Sequence, residues 1–97
     1  MNEKAIEKRF TRKCRERGWW TLKFNTTSET GMPDRLVVLP GGKTAWVELK
    51  APGKKPTDMQ QYQHARLNAF GQQTFIASTP EEVDATIEII ATIKNRR

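Results

Sequence analysis

Apolar residues recur at every fourth position near the start of the chain, at Ile6, Phe10 and Cys14, with charged residues between them. That spacing predicts an amphipathic helix over residues 3–17, ended by Gly18. The period then shortens to two. Trp20, Leu22 and Phe24 alternate with Thr21, Lys23 and Asn25, the pattern of a half-buried strand over residues 19–25. After a polar loop come two β-rich runs, Asp34–Leu39 and Thr44–Lys50, separated by Pro40-Gly41-Gly42-Lys43. So short and glycine-rich a connection predicts an antiparallel hairpin.

Ala51-Pro52-Gly53-Lys54-Lys55-Pro56 interrupts regular structure. Thr57 then reads as the N-cap of a helix reaching about Phe70, with Gly71 just past its end. Thr74–Ala77 is a short strand. Thr79-Pro80-Glu81-Glu82 is read as a capping box with proline at the first helical position, opening a helix whose buried stripe is Val83, Ile87, Ile90 and Ala91. The order is α-β-β-β-α-β-α. The strand-helix-strand unit over residues 44–77 fits a right-handed parallel crossover. The expected fold is therefore α/β, a central mixed sheet of about four strands flanked by helices, as one domain over residues 1–97.

Composition narrows the functional classes. Cys14 is the sole cysteine and His64 the sole histidine, which excludes intrachain disulfides and the usual zinc modules. No apolar run approaches the ~20 residues that cross a bilayer, and Met1-Asn2-Glu3-Lys4-Ala5 lacks the apolar segment of a signal peptide. A soluble, cytoplasmic protein with no membrane partner is expected. The formal net charge is +6 and unevenly spread. Lys4, Lys8, Arg9, Arg12, Lys13, Arg15 and Arg17 crowd the first helix, Lys54 and Lys55 lie in the central loop, and Lys94, Arg96 and Arg97 close the chain. Such a field favours a polyanion, and nucleic acid is the commonest.

The chemistry concentrates on the hairpin. Side chains of a strand alternate between faces, so Glu48 and Lys50 point the same way while Leu49 points into the core. Asp34 faces Glu48 only if Leu39 pairs with Lys43 around the three-residue loop Pro40-Gly41-Gly42, or if a bulge intervenes. That register is the expectation, with the two carboxylates within about 5 Å across the ladder. Two carboxylates on neighbouring strands suit a hard divalent cation that keeps some of its water. Taken singly, Asp34 is an ordinary turn aspartate and Glu48 with Lys50 a surface ion pair. Together on one hairpin they point to chemistry.

Gly31-Met32-Pro33-Asp34, thirteen intervening residues, then Glu48-Leu49-Lys50 resembles the PD-(D/E)XK nuclease signature. With its leading helix glutamate and Thr57-x-x-Gln60 opening a helix that ends at Gly71, nearly the whole chain resembles stand-alone members of the VRR-NUC (virus-type replication-repair nuclease) family. The resemblance implies a restriction-endonuclease-like core and a DNA endonuclease using Mg²⁺ or Mn²⁺. It implies a metal held by Asp34, Glu48 and the Leu49 backbone carbonyl, with Lys50 acting on the attacking water and the phosphoryl charge. Glu7 is the matching helix glutamate that completes the metal site. Gln60 matches a glutamine proposed to hold the scissile phosphate or the water, although its capping-box position needs no chemistry. Minimal members look like homodimeric resolvases of four-way junctions, with roles in DNA repair and recombination and often a phage origin. A bacterial or phage-infected cell is then the setting.

Phosphate contacts are expected from Lys54, Lys55, Arg9, Arg12, Lys13 and Lys23. Trp19 and Trp20 are expected to pack in the core or an interface rather than stack on bases. Gln61 and Gln63 read as surface residues, with Gln63 also able to reach the side of Gln60, His64 has no assigned role, and Cys14 is read as inert. Met32, Trp19 or the helix over 80–93 are candidates for a dimer surface. Two other readings compete: a nicking or restriction-like nuclease, and a non-catalytic DNA-binding module of the same fold. A binder has no use for carboxylates that repel phosphate. An RNA-binding module is disfavoured because no strand pair carries an aromatic platform.

Overall fold

The computed structural model describes residues 2–26 and 28–93, so the basic cluster Lys94, Arg96 and Arg97 lies outside the described residues. Three helices and four strands follow the expected order: α1 (Glu3–Glu16), β1 (Trp20–Lys23), β2 (Arg35–Val38), β3 (Thr44–Leu49), α2 (Asp58–Ala69), β4 (Thr74–Ala77) and α3 (Pro80–Ile90). Asn2 caps α1 by accepting the Ala5 amide. Both α1 and α2 end in the same doubly bonded motif. Trp19 N–H reaches Cys14 C=O past Gly18, and Gln72 N–H reaches Leu67 C=O past Gly71, each at 3.0 Å.

The strands lie in the order β1-β2-β3-β4, antiparallel from β1 to β3 and parallel between β3 and β4. The hairpin takes the three-residue loop. Val38 pairs with Thr44 and Arg35 with Val47, and Leu39 N–H donates to Lys43 C=O at 2.8 Å. Alternation then assigns each side chain a face. Val37, Ala45, Val47, Leu49 and Ala77 share one face and form the core with Ile6, Phe10 and Cys14 of α1 and Val83, Ile87 and Ile90 of α3. Burial pushes the Cys14 thiol up to about 12, which leaves it protonated and unreactive.

Several expectations shift. β1 is shorter than residues 19–25, and Thr21, opposite Val37, is the residue it turns toward the core, while Lys23 on the same side is exposed. Trp20, Leu22 and Phe24 share the opposite face, where Phe24 meets Trp46 edge-on at 4.9 Å. Trp19 packs against the core, but Trp20 is 63% exposed, so the core does not account for it. At α3, Thr79 caps Glu82 N–H as expected. The Glu82 carboxylate, however, reaches one residue further back, to the N–H and hydroxyl of Ser78, where it finds two donors instead of one. Thr86 joins the buried stripe of α3, and Ala91 is only half-buried.

The loop ahead of β2 is seated on α2. Gln63 Nε2 donates to Thr30 C=O at 2.9 Å and to Glu29 at 3.1 Å. Gly31 adopts φ 83°, and a Cβ there would lie 2.6 Å from Met59 Cγ and 2.8 Å from its backbone carbon. Gly31→Ala therefore combines left-handed strain with a clash against backbone. It is expected to cost roughly 2–4 kcal/mol, read as a lowered denaturant midpoint.

Candidate active site

The hairpin and the start of α2 converge at one end of the sheet. Pro33 is fully buried and delivers the chain into β2 immediately after Asp34. One step beyond the Arg35–Val47 pair, the register sets Asp34 across from Glu48. Asp34 is fixed by its own acceptor role, since Oδ2 takes the Leu49 amide at 3.0 Å.

Glu48 is 2% exposed, and no other Asp, Glu, Lys or Arg among the described residues is buried to that degree. Its Oε2 accepts Gln60 Nε2 at 3.1 Å and lies 3.7 Å from Lys50 Nζ. Its Oε1 is buried with no donor among the described residues. Burial first, and then the charge of Asp34, push the Glu48 carboxyl up to about 7, with Lys50 opposing. A second carboxylate and an unfilled buried oxygen are what a hard cation would satisfy, so the donor set fits Mg²⁺ or Mn²⁺.

Gln60 reconciles its two readings. Its Oε1 accepts Thr57 N–H at 2.9 Å while Thr57 Oγ1 accepts Gln60 N–H, completing the capping box. That leaves Nε2 turned toward Glu48. The cap holds the amide, and the amide holds the carboxylate. Gln60→Glu preserves the acceptor that the cap needs but sets a like charge against Glu48. The melting temperature is expected to fall, because Glu48 loses its donor and gains a like charge, and DNA cleavage is expected to drop roughly 10- to 100-fold, as for loss of a residue supporting a metal ligand.

Glu7 has a partner that the sequence concealed. Its Oε2 accepts from Arg35 at 2.8 Å, and Arg35, the residue after Asp34, points to the opposite sheet face. Among the described residues, no three His, Cys, Asp or Glu side chains gather at metal-ligand spacing. The helix acid whose charge reaches Glu48 is Glu3, one turn before Glu7.

Two buried residues of α2 escaped the sequence reading. Gln63, read as a surface residue, is buried and tethers the loop over 29–30. His64 is 7% exposed and sits one turn after Gln60. Burial pushes its imidazole pKa down, with Asp34 opposing. The signal was present in α2, whose inner face carries Gln60, Gln63 and His64 where a structural helix would carry aliphatics.

The cations divide into two groups. Arg9 grips Asp84 of α3 through two bonds, at 2.9 and 2.7 Å, and Lys13 approaches the same carboxylate at 3.5 Å. Arg9 accordingly holds the Asp84 carboxyl below its usual range. Arg12 pairs with Glu16 along α1. Lys23, Lys54 and Lys55 are exposed and make no ion pair among the described residues. Arg9 and Lys13 clamp α1 to α3 and Arg12 is engaged within α1, whereas Lys23, Lys54 and Lys55 remain free for an anion.

No family model matches the chain. The chain is 43% identical over 81 residues to a protein titled "Putative nuclease p44", from Acyrthosiphon pisum secondary endosymbiont phage 1, over 84% of this chain and 87% of that one. A solved structure titled "VRR_NUC domain" matches with a TM-score of 0.82 at 30% identity, over 89% of this chain and 94% of that chain. With a mixed four-stranded sheet in the expected order, this chain belongs to the VRR-NUC family of nucleases.

Proposed function

We propose that this nuclease is a Mg²⁺- or Mn²⁺-dependent endonuclease that hydrolyses DNA phosphodiester bonds, selective for branched DNA and acting as a homodimer. The observation that carries the reading is a buried carboxylate, Glu48, with one oxygen unfilled, beside Asp34 and Lys50. Left alone, that arrangement is unfavourable, since like charges repel in a site of poor solvation.

Asp34, Glu48 and the Leu49 backbone carbonyl would hold the cation, which would lower the pKa of a water and polarise the phosphoryl group. Asp34 is oriented by the Leu49 amide, and Glu48 by Gln60. Lys50, on the rigid end of β3, orients or deprotonates the attacking water and stabilises charge developing on the phosphoryl oxygens. Glu7 would complete the site from α1 only on leaving Arg35, which holds it on the opposite sheet face. Lys23, Lys54 and Lys55 hold flanking phosphates, without sequence preference. Arg9, Arg12 and Lys13 serve the duplex only where they can leave their carboxylates.

One chain has one such site, and a paired cut needs two related by a two-fold axis. Met59, Tyr62 and Phe70 are exposed along α2, Phe70 by 80%, and offer apolar area for that contact. Apart from the eleven-residue connection between β1 and β2 the links between elements are short, with no long insertion to read a major groove among the described residues, which favours reading DNA shape over sequence. Among the described residues no helix is long and apolar enough to cross a membrane. The proposed setting is the cytoplasm of a bacterial or phage-infected cell, in repair or recombination.

The test is incubation of supercoiled plasmid and a synthetic four-way junction with Mg²⁺, Mn²⁺ or EDTA, with products mapped on both strands. Paired cuts on the junction that vanish in EDTA are expected. Retarded migration without cut product in every metal would leave a DNA-binding module instead.

A further inference from the structure

We propose that His64 is a positioning residue for the carboxylate pair, its buried imidazole holding Asp34 through a bridging water. The inference rests on the metal-dependent reading above. His64 Nε2 is buried and has no hydrogen-bond partner among the described residues. An unpaired buried nitrogen is unfavourable, and roughly 90% or more of buried polar groups avoid that cost. Leucine would fill the position without it.

The location supplies the reason. His64 lies on α2 one turn after Gln60, on the same face of the helix. Gln60 already holds Glu48 through a direct bond. Asp34 lies across the ladder from Glu48, so the helix face that brings Gln60 to Glu48 brings His64 to the same carboxylate pair; His64 makes no direct hydrogen bond to Asp34, whose Oδ2 takes the Leu49 amide. A gap between two polar groups that are close but unbonded is where an ordered water bridges. One helix would then orient both carboxylates, Gln60 directly and His64 through the water. Partners of this kind commonly govern metal affinity.

The test compares wild type, His64→Leu and His64→Gln by calorimetric titration of metal-free protein with Mn²⁺ and by thermal unfolding. Leucine is expected to melt at the same or a higher temperature yet bind Mn²⁺ roughly 10- to 100-fold more weakly. Glutamine, whose amide can reach the same water, should stay close to wild type. Equal affinities in all three proteins, or equal losses in both variants, overturn the proposal. A leucine variant that does not fold overturns it too, because the imidazole would then be structural. Wild type that binds no Mn²⁺ sinks the metal-dependent reading itself, and this inference with it.

Discussion

Lys50→Ala is expected to slow DNA cleavage by at least about a thousandfold while changing stability by less than about 1 kcal/mol. The asymmetry follows from where the residue sits. Its backbone N–H donates to Ala77 C=O at 3.0 Å, and that bond survives any side-chain change. Its ammonium, 3.7 Å from Glu48, attracts that carboxylate without hydrogen-bonding it, and on its loss Glu48 can take up a proton, which limits the structural cost. Loss of an electrostatic partner at a developing phosphoryl charge typically costs about 10²–10³ in rate, and loss of a proton-transfer group about 10²–10⁴. Lys50 also opposes the upward push on Glu48, so its removal should raise that carboxyl further and move the pH–rate profile to the alkaline side. Lys50→Arg should not restore the rate, because a longer planar fork cannot take the place of a compact ammonium. Single-turnover cleavage beside thermal melts makes the comparison. More than a tenth of wild-type activity in the alanine variant would remove Lys50 from the chemistry.

Asp34→Ala provides the contrast. It should also abolish cleavage, but it leaves the Leu49 N–H without its acceptor, at about 1–3 kcal/mol if that amide finds no water. Part of this is offset because Glu48 loses its nearest like charge. The two variants thus share a loss of activity and differ in stability.

How far the sequence reaches depends on which forces set each feature. The hairpin register was legible because parity is a counting constraint. A three-residue loop at Pro40-Gly41-Gly42 puts Asp34 and Glu48 on one face, and the Arg35–Val47 pairing follows from the same count. Helix ends were legible because capping is local, as at Thr57 and Gly71. The face of β1 was not. Apolar alternation finds a strand, but this sheet is packed on both sides, and Trp20 and Leu22 lie away from the face that α1 and α3 cover. Nor could local reasoning find Glu7–Arg35 or Arg9–Asp84, whose partners lie 28 and 75 residues apart. His64 and Gln63 escaped because periodicity records burial driven by apolar area. Both are buried on the helix face that meets Glu48 and the preceding loop.

Glu48→Gln should make the metal-free protein more stable at pH 8, by up to roughly 3 kcal/mol, while abolishing cleavage. The Glu48 carboxyl is raised from 4.5 to about 7 by burial and by Asp34, so the folded chain holds this proton more tightly than the unfolded chain does. Below about pH 4.5 both states are protonated and the fold carries no penalty. Through the interval up to about pH 7 the folded protein progressively loses that advantage, and above it the full cost of a buried, repelled carboxylate remains. In EDTA the wild-type melting temperature should therefore fall across this window, on the order of 10 °C for a domain of this size, and the fall should be much shallower in Glu48→Gln. Mn²⁺ at pH 8 should reverse the ranking. A ligand at about 1,000 times its dissociation constant adds about 4.1 kcal/mol to the state that binds it, enough to exceed that penalty, and only wild type retains both carboxylates to do so. A wild-type melt that does not change from pH 5 to 8, or an equal Mn²⁺ effect on both proteins, would mean that Glu48 is not held at this cost for the sake of a cation. The crossing of the two stabilities is the informative result, because a glutamate kept only for packing would be improved by glutamine at pH 8 with or without the cation.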